Sequence, residues 1–198
     1  MAAQHAPHQK ETPTMKLYLT PGSSSMATHI ALVEAGADFT THAMSLGKET
    51  KEAPFLAVNA EGKVPALEVD GTVLTEVAGT MFYIARRFPA AGLLPEGALE
   101  QGQVVSWMSF LASSVHPAWK VSEEHARAIW AIAEQRLGGK EWLVGGAFSI
   151  ADIHLFRLFW RFRDRLGLDA ATYPKLTAHH DRMLARPAVR KVMAAEGV

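Results

Sequence analysis

The first regular pattern begins at Met15, where Lys16-Leu17-Tyr18-Leu19-Thr20 alternates polar and apolar positions and stops at Pro21-Gly22. That is the signature of a short strand. Met26, Ile30 and Val33 then share one face, which predicts a helix over about 24–35 that Gly36 closes. Residues 38–45 read as a second strand, 51–58 as a short helix, and 65–69 with 72–74 as a hairpin turning at Asp70-Gly71. Val77, Met81, Ile84 and Phe88 make the apolar stripe of a helix over 76–88. The order is βαβ followed by ββα.

Beyond residue 88 the period becomes helical and stays so. Helices are expected over about 97–119, 122–137, 149–166 and 173–185, with a last one from Pro187. Between the two patterns lies Pro89-Ala90-Ala91-Gly92-Leu93-Leu94-Pro95, bounded by prolines and holding a glycine, so 89–95 reads as a linker. An α/β domain over 15–88 is thus joined to an all-helical domain over 96–198. Residues 1–14, polar and twice interrupted by proline, are expected to form a disordered tail, because they bury too little to offset the entropy of ordering.

One helix start is explicit. In Phe148-Ser149-Ile150-Ala151-Asp152-Ile153, Ser149 suits the N-cap, Asp152 reaches back to its amide, and Phe148 can staple onto Ile153. Asp152 is therefore read as a folding residue and not as a catalytic acid. All five tryptophans fall in the helical half, where core packing is their ordinary use and an apolar pocket facing the first domain is the other.

Twenty Lys+Arg balance twenty Asp+Glu, so no overall field draws nucleic acid or an anionic membrane surface. Arg157, Arg161 and Arg165 lie four apart and read as a solvated basic stripe. His179-His180-Asp181 lacks metal-ligand spacing, and no metal site is expected. The chain has no Cys, which removes disulfides, thiolate metal sites and a protein thiol nucleophile. No apolar run of membrane-spanning length or secretion-signal core is present, so the expected location is cytoplasmic.

KLYLTPGSSS…HIALVEAG, AVNAEGKVPALEVDG, LTE, FSIADIHLF and ARPAVRKVMAAEG, in this order and spacing from Met15 to Val198, resemble the glutathione S-transferases, in particular the bacterial beta-like group. The resemblance implies a thioredoxin-like first domain and an all-helical second domain, in agreement with the periodicity. It also implies glutathione as co-substrate, a small hydrophobic electrophile as its partner, no metal, and a homodimer.

Residue by residue, the group carries a Cys where this chain has Ser24. The segment 21–25 passes from a strand tip into a helix start, where free amides and the dipole favour an anion such as a thiolate. Ser24 is the first choice to donate a hydrogen bond to the sulfur, with Ser25 or Ser23 able to do the same. Plain helix capping is the alternative use of these serines. His116 is implied to face the sulfur from the second domain, donating a hydrogen bond or accepting a proton. Lys63, Val64 and Pro65 are implied to form the strand-like binding edge, with a cis Val64-Pro65 bond and Val64's amide and carbonyl on the glutathione backbone. Glu76 is implied to meet the γ-glutamyl ammonium, and the Val77 amide the adjoining carboxylate. Lys48 is a candidate for the glycine carboxylate. Ser109 stands where the group has Asn, and Val77 where it has Ser or Gly.

Conjugation of glutathione to electrophilic carbon is the expected reaction. A disulfide oxidoreductase of the same fold is closed off by the missing Cys. A glutathione-dependent isomerase or lyase, and a non-catalytic binding or interaction module, remain as alternatives.

Overall fold

A computed structural model describes residues 14–198. The tail expected over 1–14 therefore lies outside the described residues except for Thr14, whose amide donates to Asp70 Oδ1 at 3.1 Å. The first lobe is built from β1 (Met15–Leu19), α1 (Ser25–Glu34), β2 (Thr40–Ala43), α2 (Ala53–Leu56), β3 (Ala66–Val69), β4 (Thr72–Thr75) and α3 (Val77–Arg87). Its four strands run in the order β2-β1-β3-β4; β2 is parallel to β1, and the other neighbours are antiparallel. The hairpin turns at Asp70-Gly71 as its sequence requires, with Val69 opposite Thr72 and both turn residues at positive φ. The short helix expected over 51–58 is instead a 3-10 turn (Glu49–Lys51) followed by α2. Pro54 is the physical reason: it has no backbone donor and fits only the first turn of a helix.

The second lobe is helical: α4 (Ala98–Phe110), α5 (His116–Ala118), α6 (Glu123–Leu137), α7 (Ile150–Leu166), α8 (Pro174–Leu184) and α9 (Pro187–Glu196). The helix expected over 97–119 keeps one path but widens to a π turn at Leu111–Val115 between α4 and α5. Pro117 explains it, since a proline there cannot donate to the Ser113 carbonyl and its ring would crowd that carbonyl in an α-helix.

The capping box before α7 forms as expected: Asp152 Oδ2 accepts from the Ser149 amide at 2.9 Å and from its hydroxyl at 3.0 Å. Asp152 Oδ1 also takes the Leu143 amide and pairs with His179 Nε2, both at 3.0 Å. A fully buried carboxylate is tolerable only with such a complete set of donors.

One apolar core runs through both lobes, from Leu17 and Ile30 through Met81 and Trp107 to Trp130, Phe156 and Val192. A smaller one, Tyr18, Met44, Phe55, Val64 and Ala66, lies beneath α2. Of the tryptophans, Trp130 and Trp107 are buried, while Trp119, Trp142 and Trp160 only pack against the core. The two lobes thus share a packed seam, and the candidate site opens along it.

Candidate functional site

A cleft of about 930 Å³ lies between the lobes. The first lobe lines it with the turn after β1 (Thr20 to Ser24), Val64-Pro65, and Thr75-Glu76-Val77; the second lobe adds His116, Pro117, Trp119 and Lys120 and one side of α7.

The serine turn is held from within and from behind. Ser25, fully buried, accepts the Thr20 amide on its hydroxyl at 3.1 Å, donates to the Thr20 carbonyl at 3.2 Å and shares a 2.8 Å bond with the Ser23 hydroxyl. Ser23 Oγ also accepts the Ser25 amide at 3.3 Å. Those two hydroxyls are committed to the turn. The Ser24 hydroxyl takes no partner among the described residues and lines the cleft at the start of α1, where the positive end of the helix dipole favours an anion. Behind the turn, both polar groups of Gly22 are gripped by the second lobe. Its amide donates to Glu196 Oε2 at 2.8 Å, and its carbonyl accepts from Arg157 Nη2 at 3.2 Å. Glu196 Oε1 is in turn paired with His29 Nδ1 at 2.8 Å.

On the adjacent wall the Val64-Pro65 bond is cis, and neither the amide nor the carbonyl of Val64 has a backbone partner among the described residues. An extended peptide could pair with them as an added strand. Asn59 shapes this wall, its amide group donating to the Lys63 carbonyl at 2.8 Å. Glu76 sits at φ 63°, a region few residues with a side chain adopt, and its exposed carboxylate borders the cleft. The Thr80 amide and hydroxyl, at 3.0 and 3.1 Å, fix its carbonyl, and Thr80 is tied to Thr28 of α1 at 2.8 Å. Val77 opens α3, so its amide faces the cleft without a helical acceptor.

Across the cleft, burial, with Arg157 and Lys120 nearby, pushes the His116 imidazole down to about 4. The ring is therefore neutral at pH 7, which makes it a hydrogen-bond donor and a poor acceptor of a thiol proton. Burial likewise takes His154, beneath it, down to about 3, and its Nδ1 has no partner among the described residues.

Lys48 and Ser109 are not brought to the cleft. Lys48 is exposed just before the 3-10 turn, and Ser109 is exposed on α4. Ser25 is held behind the lining. Lys63 borders the cleft, but its ammonium is paired with Glu61 at 2.7 Å, which also raises its pKa. The solvated stripe expected at Arg157, Arg161 and Arg165 needs correction at Arg157, which is only 4% exposed; Arg161 and Arg165 are exposed, and all three line the cleft. Four-residue spacing places side chains on one face and leaves open what that face meets. His154 and Glu196 had no signal beyond helical periodicity, whereas Trp119 and Trp160 take the second use open to the tryptophans, lining the cleft that faces the first lobe. Among the described residues no cluster of His, Cys, Asp and Glu has the arrangement of a metal site, and no helix is long and apolar enough to cross a membrane.

Comparison with known proteins agrees with this arrangement. Residues 13–86 match the family description "Glutathione S-transferase, N-terminal domain" and residues 107–187 match "Glutathione S-transferase, C-terminal domain". The chain is 33% identical over 202 residues to glutathione S-transferase GstA of Escherichia coli O157:H7, spanning 93% of this chain and all of that one. It is 28% identical over 205 residues to maleylacetoacetate isomerase of Pseudomonas aeruginosa, spanning 91% and 96%. Among solved structures, a sphingomonad glutathione S-transferase in complex with glutathione superposes with a TM-score of 0.85 at 38% identity, over 92% of this chain and 99% of that one.

Proposed function

The chain belongs to the glutathione S-transferase family, and on that footing we propose that its cleft binds glutathione and directs the thiolate onto the electrophilic carbon of a small, largely apolar molecule. The observation that carries this reading is the meeting, in one cleft, of a free Ser24 hydroxyl, an unpaired Val64 backbone edge and the Glu76 carboxylate at the head of α3. Glutathione would lie extended along Val64, its ammonium on Glu76 and the neighbouring carboxylate on the Val77 amide. Its sulfur would sit by Ser24 at the start of α1.

The thiol proton leaves to solvent, and the Ser24 hydroxyl, the amide end of α1 and the neutral His116 ring stabilise the negative sulfur left behind. Lowering a thiol pKa from ~8.5 to ~6.5 amounts to about 2.7 kcal/mol, within reach of one hydroxyl bond and a helix terminus. The thiolate then attacks carbon and the leaving group departs with its electron pair. Serine in place of the group's cysteine suits conjugation, since Ser24 can stabilise a bound sulfur but cannot form a mixed disulfide with it.

The test is retention on immobilised glutathione together with turnover of an aryl chloride. Retention with turnover is expected, no retention overturns the assignment, and retention without turnover of any electrophile marks a binding module. The 28% identity to a maleylacetoacetate isomerase favours a second reading at the same site, in which the thiolate adds to an activated double bond and is expelled again. Glutathione unconsumed during turnover would identify it. We also propose a homodimer, supported by Phe82 on α3 and Leu99 and Val105 on α4, which stand exposed. A solution mass near that of one 21.6 kDa chain would refute it.

A further inference from the structure

The second-lobe wall of the cleft has a charge character that the conjugation reading does not require. Lys120, Arg157, Arg161 and Arg165 all line it, whereas Glu76, the one carboxylate side chain among the described residues of the lining, stands on the first lobe. Of the other six arginines of the helical lobe, Arg127, Arg163, Arg182 and Arg186 have a carboxylate at 3.5, 3.5, 3.6 and 2.6 Å, and Arg136 donates to the Ser106 hydroxyl at 2.7 Å. Among the described residues, none of the four cleft cations has one. Glu196 is near Arg157, but its oxygens are taken by His29 and Gly22.

Arg157 is the innermost member. Among the described residues it donates once, to the Gly22 carbonyl, and its Nε and Nη1 are buried with no partner. Buried guanidinium nitrogens left unpaired are costly, and they fit a site whose positive charge is answered by something outside the chain. Burial and the repulsion of Arg161 lower Arg157 to about 10, so it remains charged at neutral pH. Towards the mouth Arg161 is exposed, and the Arg165 guanidinium lies over the Trp119 ring at 4.7 Å, which holds it beside the apolar surface of Trp119, Trp160 and Phe162.

We propose that the electrophile this cleft is built for carries a carboxylate on a flat apolar frame, with Trp119, Trp160 and Phe162 taking the frame and Arg161 and Arg165 taking the carboxylate. Arg157 adds a fixed positive field from behind. This refines the hydrophobic electrophile of the proposed function and rests on that reading. In the proposed pose the γ-glutamyl carboxylate of glutathione meets the Val77 amide on the first lobe, which leaves the second-lobe arginines to the other substrate.

The experiment compares chlorodinitrobenzene with chlorodinitrobenzoate, each rate divided by its uncatalysed rate with glutathione. Acceleration about tenfold greater for the benzoate, shrinking as salt is raised, is expected. In an Arg161→Gln/Arg165→Gln variant, KM for the benzoate should rise at least about tenfold more than KM for the neutral chloride. Equal accelerations, or equal effects of the variant on both substrates, would overturn the proposal while leaving conjugation standing. If neither chloride turns over, the conjugation reading fails. The anion site is then decided by titrating chlorodinitrobenzoate against tryptophan fluorescence: quenching that salt and the double variant weaken sustains it, and no quenching overturns it.

Discussion

Glu196 lies near the end of α9, far from the cleft in sequence, yet it holds the peptide unit from which the Ser24 hydroxyl is presented. Its side chain is 1% exposed, with one oxygen on the Gly22 amide and the other on His29, both at 2.8 Å. Each hydrogen bond to a charged group contributes about 1.5–3 kcal/mol, and water entering the vacated space recovers part of the loss. Glu196→Ala should therefore destabilise the fold by about 3–5 kcal/mol, and Glu196→Gln, which keeps the shape but not the charge, by about half as much. Urea unfolding followed at constant protein concentration measures both. In the Gln variant, which stays folded, a loosened Gly22 should let Ser24 drift and lower kcat/KM about tenfold, or ~1.4 kcal/mol of transition-state stabilisation. A loss under ~1 kcal/mol in the Ala variant, with unchanged kinetics in the Gln variant, would refute the argument that the second lobe positions the serine turn.

Other outcomes follow from the same geometry. Ser24→Ala should lower kcat about tenfold with little change in KM for glutathione and raise the bound thiol pKa by about one unit, read by thiolate absorbance. Ser25→Ala should instead cost about 1–2 kcal/mol of stability, because the half-buried Thr20 amide loses its acceptor and the Ser23 hydroxyl its partner; equal behaviour of the two variants would contradict the assignment. His116 and His154 have folded pKa values of about 4 and about 3, below the ~6.5 of an unfolded histidine. The unfolded chain thus binds protons that the folded chain refuses, so stability is fully present above about pH 6.5 and falls as pH drops towards those values. His154→Gln should flatten that acid limb, as urea midpoints across the pH range would show. Asp152→Ala strips partners from the Leu143 and Ser149 amides and from His179, and should cost at least about 3 kcal/mol; activity per folded molecule should persist.

What could be read in the residues was what neighbours in the chain decide. The β1 alternation, the Asp70-Gly71 turn and the Ser149/Asp152 capping box each depend on contacts only a few positions apart, and each formed. The break from mixed to purely helical periodicity announced the change from sheet to bundle for the same reason. Where a local rule met a proline it was modified: Pro54 shortened a helix and Pro117 opened a π turn.

The site is different in kind. Three consecutive serines are chemically alike, and only the turn around Thr20 buries one hydroxyl, engages the second and frees the third. Periodicity put Arg157 and Arg161 on one stripe, but packing of α7 against the first lobe buried Arg157 and left Arg161 exposed on the wall of the cleft. Gly22 meets Arg157 and Glu196 across separations of 135 and 174 residues. The chain alone determined its elements because their energies are local; the closing of the two lobes decided which side chains meet, because burial and charge are properties of the assembled space.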